Sequence, residues 1–290
     1  MNEAHTTQKL LLILLAILIL KEALAAVVTA SVTIGNPAPV VTNMIFLDNP
    51  VALIENSLTT VWCNATINDT NGWQDITSVS GVIWNSNTTY NASNNYNNHY
   101  TNSSCALYAG SGTSRAASCA FGMYYFADPG RNWTCRITAM DSTNQQGYNE
   151  TNFSVSAFLG ISVSPEINFG TLNPGSTSNT SISTYVNNTC NQQIDLKMNA
   201  LSNITCNVGA IEADYVHYNT TNTDYSSMCL LTTNADETCG EVQNNFNLGK
   251  CTAISGIPIN PTKNLYWKIQ VPLGVRGTCY TNLTVTAKEG

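Results

Sequence analysis

Three groups of residues in this chain could do chemistry. The first is the run Asp69-Thr-Asn71-Gly72-Trp-Gln-Asp75. Asp69, Asn71 and Asp75 set side-chain oxygens at roughly alternate positions, the donor chemistry a hard cation such as calcium takes. The distal bidentate acid of an EF-hand is missing, and Asn-Gly also makes an ordinary turn between strands. The run therefore reads either as a weak calcium loop or as a plain turn. The second group lies in NSNTTYNASNNYNNHYTNSS (85–104), where Tyr90, Tyr96, His99 and Tyr100 stand among Asn, Ser and Thr. Tyrosine in a small-polar setting suits adaptable ligand loops and sugar contacts. The same composition also describes an exposed loop carrying glycans.

The third group is ten cysteines. Four fall in the first half (Cys63, Cys105, Cys119, Cys135) and six in the second (Cys190, Cys206, Cys229, Cys239, Cys251, Cys279). Both counts are even, as expected if each half closes its own bridges. Zinc is the competing chemistry, but no Cys-x-x-Cys pair occurs, and His5, His99 and His217 lie far apart. Disulfides are expected, and with them an oxidising compartment. The acids Asp69, Asp75, Asp128 and Asp141 sit near turns, but there is no nucleophile elbow, Ser/His/Asp set or metal-ligand cluster in the pattern. No catalytic residue is assigned and no enzyme is expected. No cofactor is expected beyond the candidate calcium.

These residues need elements to hold them. The 290-residue chain is long enough for two ordinary domains. Charged residues are only 10%, while Asn and Thr make up about a quarter. The net charge is −7 and the 11 Lys+Arg are scattered singly, so no basic stripe exists to neutralise phosphates and nucleic acid is not a partner. After residue 30, short β-branched and aromatic runs between polar turns replace any long helical pattern, which argues all-β.

The N-terminus differs. Polar residues ending in Lys9 precede LLLILLAILIL (10–20), then Lys21-Glu22-Ala23-Leu24-Ala25. This is the layout of a signal peptide helix over 1–25, cleaved near Ala25. The rival is an uncleaved anchor, the chain's only route into a membrane, although eleven apolar residues fall short of the roughly 20 a span needs. Residues 26–38 (AVVTASVTIGN and its continuation) form a β-prone linker. Sequons occur at thirteen asparagines: 64, 68, 87, 91, 102, 132, 149, 152, 179, 187, 203, 219 and 282. Each permits a glycan. Where segments are extended, the odd offsets between sequon asparagines and nearby cysteines put sugars outside and bridges inside.

In residues 39–158, Val61, Cys63, Ala65 and Ile67 share one strand face. Trp133, Cys135, Ile137 and Ala139 share another, and Ile76–Trp84 is apolar on both parities. The run V-x-C-x-A-x-I-x-D…W, followed by G-x-N-W-x-C-x-I-x-A-x-D, resembles immunoglobulin-like domains of microbial, especially archaeal, cell-surface proteins. The resemblance covers about 100 residues and implies a sandwich bridged by Cys63–Cys135, with Trp84 as the core tryptophan beside the bridge. With that pair, Cys105 and Cys119 join each other and close a hairpin. Trp133 occupies the place of the usual tyrosine-corner residue.

Residues 160–290 read as a second β-sandwich. Ile182, Thr184 and Val186 share a face, as do Ile194, Leu196 and Met198, and Leu265, Trp267, Ile269 and Val271. The pattern V-S-P-x-I-x-F-G-T-L-x-P-G…V-P-x-G-V-x-G-x-x-Y is similar to sandwich modules of archaeal surface and filament proteins. Residues 220–260 form an insertion pinned by disulfides. Cys190 and Cys279 fall on inward parities and are expected to pair, although six cysteines allow fifteen connectivities.

The expectation is two tandem immunoglobulin-like β-sandwiches after a signal peptide helix: an exported, glycosylated, non-enzymatic cell-surface or envelope protein serving structure or adhesion. Its partners would be other surface proteins or glycans. The alternatives are a filament subunit that self-assembles by strand addition and a glycan-binding module.

Overall fold

The computed structural model describes residues 2–20, 27–233, 239, 242, 244–254 and 257–290. The segment Met1–Asn36 is one unit and Pro37–Gly290 another. In the first, α1 (Glu3–Leu20) contains the apolar run. Among the described residues no helix is long and apolar enough to cross a membrane. Lys21, Glu22 and the residues of the expected cleavage site, Ala23 and Ala25, lie outside the described residues. Residues 27–34 take no regular secondary structure and expose Val27, Val28, Val32 and Ile34.

The larger unit is mostly β and holds two separate cores. Eight strands build the first: β1 (Val40–Phe46), β2 (Leu58–Asn68), β3 (Ile76–Asn85), β4 (His99–Asn102), β5 (Ala106–Leu107), β6 (Ser114–Tyr124), β7 (Gly130–Asp141) and β8 (Gln146–Val155). They form two antiparallel sheets of order β1-β2-β6-β5 and β4-β3-β7-β8. Successive strand residues face opposite ways. Val61, Cys63, Ala65 and Ile67 of β2 are accordingly buried against Trp133, Cys135, Ile137 and Ala139 of β7. Cys63 and Cys135 are bonded across the two sheets, with Cα atoms 6.7 Å apart. Cys105 and Cys119 are bonded along the β5–β6 hairpin. That bridge leaves no room opposite it: a Cβ on Gly81 would come within 2.8 Å of the Cys119 Sγ, so this strand position requires glycine.

The tryptophan assignment needs correction. Trp84 is not the core tryptophan. It pairs with Thr134, one residue out of phase with the fully buried Ile83, and lies half-buried on the outer face. The core ring is Trp133, fully buried between Tyr100 and Phe153, with its Nε1 donating to the Asp128 carbonyl at 2.9 Å.

The second half contains β9 (Ile161–Val163), β10 (Ile182–Asn188), β11 (Ile194–Ala200), β12 (Ile204–Val208), β13 (Ala210–Ile211), β14 (Val216–Asn219), β15 (Cys229–Leu230), β16 (Thr252–Ile254), β17 (Ile257–Ile259), β18 (Thr262–Ile269), β19 (Arg276–Tyr280) and β20 (Leu283–Glu289). The main sheet runs β15-β14-β18-β10-β9, with smaller sheets β13-β12-β19, β11-β20 and β16-β17. Its core gathers around Trp267, Tyr218, Leu196 and Phe246. The Trp267 Nε1 donates to Thr184 Oγ1 at 2.8 Å, so the indole is buried without losing its hydrogen bond.

The expected Cys190–Cys279 pair is replaced. Cys279 on β19 lies directly opposite Cys206 on β12 and is bonded to it. Cys190 is a buried free thiol in the turn after β10, where its Sγ and backbone N both meet the Asn188 Oδ1. Cys229 and Cys239 are bonded and Cys251 is free. Residues 234–238, 240, 241, 243, 255 and 256 of the expected insertion lie outside the described residues.

A small cluster of Tyr125, Phe126 and Cys251 joins the two cores. Tyr125 donates its hydroxyl to Asn260 Oδ1 at 2.5 Å. Lys250 pairs with Asp128, and buried Asn191 bridges the Phe158 amide and the Ser156 carbonyl.

Candidate functional site

Asp69 follows the last residue of β2, and Asp141 ends β7. Each continues the inward parity of its strand, so both carboxylates end up inside, 2% and 1% exposed. A one-turn 3-10 helix, Trp73–Asp75, returns the chain to them. It depends on Gly72 at φ 113°, a conformation L side chains rarely adopt. Carboxylate oxygens of Asp69, Asp75 and Asp141 then lie within 4.8 Å of one another.

Each acid commits one oxygen to its loop. The Asp69 Oδ1 accepts from the Asn71 amide at 2.8 Å. The Asp141 Oδ1 accepts from the Thr143 and Gln145 amides at 2.8 Å each and from the Thr143 hydroxyl at 3.0 Å. The Asp75 Oδ1 accepts from Ser142 Oγ. The second oxygen, Oδ2, of all three is buried and has no hydrogen-bond partner. At an effective dielectric of about 20, two like charges at this spacing repel by roughly 3 kcal/mol. The ion pairs among the described residues are Arg136–Glu150 and Lys250–Asp128, so neither neutralises this group. Arg115, the nearby cation, donates to the Ile76 and Tyr108 carbonyls and stacks on Trp73.

The expected ligand set Asp69, Asn71 and Asp75 changes accordingly. Asn71 is exposed and makes the turn through its backbone amide. The third acid of the group is Asp141, 66 residues beyond Asp75 in sequence.

The tyrosine loop also differs from expectation. His99 and Tyr100 are not presented to a ligand: β4 pairs with β3, Tyr100 lies opposite the inward Ile83 and His99 opposite the outward Trp84 under the Tyr90–Asn94 loop, and the two are 3% and 0% exposed. The His99 ring nitrogens meet the Asn94 Oδ1 at 3.2 Å and the Tyr90 carbonyl at 3.1 Å. Tyr100 donates its hydroxyl to the Tyr96 carbonyl at 2.5 Å, and burial pushes its phenol well above the ordinary range. Tyr96 packs edge-on to Tyr100 and Tyr124. Only Tyr90 of the four joins a surface group that strand pattern alone did not signal. The Arg136 guanidinium sits 3.9 Å from the Tyr90 ring centre, 4.2 Å from that of Tyr148 and 5.7 Å from that of Trp84, and it pairs with Glu150.

No family model and no curated protein matches the chain. Several solved β-rich structures are distantly similar. A DUF4785-family protein of Legionella pneumophila aligns at TM-score 0.27 and 7% identity over 85% of this chain, which spans 47% of that protein's length. A chaperone–tip adhesin complex of CFA/I fimbriae biogenesis aligns at 0.29 and 7%, covering 90% of this chain and 88% of that one. The major pilin subunit BcpA of Bacillus cereus aligns at 0.23 and 10%, over 88% and 67%. Likenesses at these scores carry no argument about what this chain does.

Proposed function

We propose that this is an exported, glycosylated, non-enzymatic protein of the cell surface or envelope, built for structure or adhesion from two immunoglobulin-like sandwiches. The observation that carries the reading is four disulfides inside a mostly β body, the covalent chemistry of oxidising compartments. The sheet order β1-β2-β6-β5 over β4-β3-β7-β8, with the bridge joining β2 to β7, supports an immunoglobulin-like first module. Glycosylation is supported by sequon asparagines that face outward, such as Asn132, Asn152 and Asn203; Asn219 is buried and is not expected to carry sugar.

The test is the intact mass of the protein recovered from its native host, before and after reduction and deglycosylation. The reading expects four bridges and attached glycan. Free cysteines throughout, or recovery only from the cytoplasm, would overturn it.

A second reading, a filament subunit, is favoured by the exposed apolar residues of 27–34, which suit donation to another copy's sheet edge. Deleting 26–38 should abolish assembly and leave the remainder folded. The glycan-binding alternative rests on the half-exposed Trp84 and Tyr90 beside Tyr148 and Arg136.

A further inference from the structure

We propose that Asp69, Asp75 and Asp141 form a calcium site that ties the two sheets of the first sandwich together at one end. Asp69 leaves β2 in one sheet and Asp141 ends β7 in the other, so an ion held by both spans the sandwich. The site lies where the chain enters this module, since Val40 of β1 pairs with Asn68, the neighbour of Asp69.

The acids alone would not make a site. What points to a ligand is that Asp69 and Asp141 are almost fully buried and each keeps a bare Oδ2 away from solvent, as does Asp75. A buried carboxylate oxygen without a partner is destabilising unless a positive charge compensates it. No ammonium or guanidinium is bonded to these groups among the described residues. The donors are all oxygen, with no His or Cys among them, which selects a hard cation over zinc or copper. Calcium bonds oxygens at about 2.3–2.6 Å, so oxygens on opposite sides of the ion stand about 4.6–5.2 Å apart. The 4.8 Å spread of the group fits within that range. Three carboxylates supply about half of the six to eight ligands calcium takes, leaving water and loop carbonyls for the rest.

The test uses the full-length protein, stripped with EDTA and dialysed, then titrated calorimetrically with CaCl₂. One site is expected, with Kd of about 10⁻⁴–10⁻³ M, the range of extracellular modules. At 10 mM CaCl₂ the Tm should rise by roughly 3–10 °C. MgCl₂ at the same concentration, and NaCl at matched ionic strength, should do less. Asp75→Asn keeps the acceptor for Ser142 but removes one charge from the group. It should weaken calcium binding by about tenfold or more, since ligand charge count sets affinity. Without calcium its Tm should equal or exceed that of the parent protein, because one repulsion is gone. A purely structural acid cluster predicts the opposite, a variant weakened with or without the ion. Absence of binding heat, a Tm response that NaCl reproduces, or an undiminished response in Asp75→Asn would each overturn the proposal. The parent titration decides the matter even if the variant does not fold.

Discussion

Asp69 and Asp141 each stand six residues beyond one partner of the Cys63–Cys135 bridge, on that cysteine's own inward parity. An even offset keeps a strand residue on the same face. The phase that brings the sulfurs together across the core therefore also brings the carboxylates together at its end. The bridge and the acid group are two fastenings of one strand pair.

Removing the bridge should loosen both. It closes a loop with a sequence separation of 72, and losing such a bond typically costs about 2–5 kcal/mol. The Cys63→Ala/Cys135→Ala protein should lose that much in urea unfolding, and its thermal response to calcium should shrink with it. A double variant as stable as the parent would show that strand packing alone holds the pair.

Trp133 and Trp84 should respond differently to truncation. Trp133 is fully buried, so Trp133→Ala leaves a cavity and should cost about 3–5 kcal/mol. Trp84 is half-buried on the outer face beside Arg136, so Trp84→Ala should cost about 1 kcal/mol or less. Chemical denaturation of the two variants separates them. Equal losses would return Trp84 to the core.

These contrasts mark what alternation in the sequence can convey. On β2 and β7 one parity is largely apolar and the other largely polar, so alternation alone places Val61, Cys63, Trp133 and Cys135 inside. On β3 both parities are apolar, so phase alone could not show that Ile83 points in and Trp84 out. Which strands lie side by side is a non-local fact. It put Cys206 rather than Cys190 opposite Cys279, and it added Asp141 to a group of which only Asp69 and Asp75 are neighbours in sequence. The asparagine-rich loop hid its own order: nothing in its composition showed that β4 would pair with β3 and bury His99 and Tyr100.

The unpaired thiols give a third prediction. Cys190 and Cys251 are buried and free, and burial raises the Cys251 thiol above its ordinary value, which favours the unreactive protonated form. A thiol reagent at pH 7.5 should find almost no reactive group in the native protein and two per chain in denaturant without reductant. No thiols in denaturant would mean that the two are joined in a fifth bridge.

The buried phenols make stability sensitive to alkali. Burial raises Tyr100 and Tyr125 above the ordinary value near 10, and burial with the nearby Asp214 pushes Tyr225 up to about 12. A phenol raised on folding holds its proton in the native state after the unfolded chain has lost it. The unfolded state is then the one that binds fewer protons above pH 10, so stability falls as pH rises. The contribution is fully present below pH 10 and is lost progressively above it. Urea midpoints should stay level from pH 8 to 9.5 and decline from pH 10 to 12, with the decline shallower in Tyr100→Phe. Phenolate absorbance should divide the thirteen tyrosines into an early-titrating set and a late one that ionises only with unfolding. If all of them titrated together near pH 10 while the fold persisted, Tyr100 and Tyr125 would have to reach solvent, and the packing that joins the two cores through Tyr125 and Cys251 would be wrong.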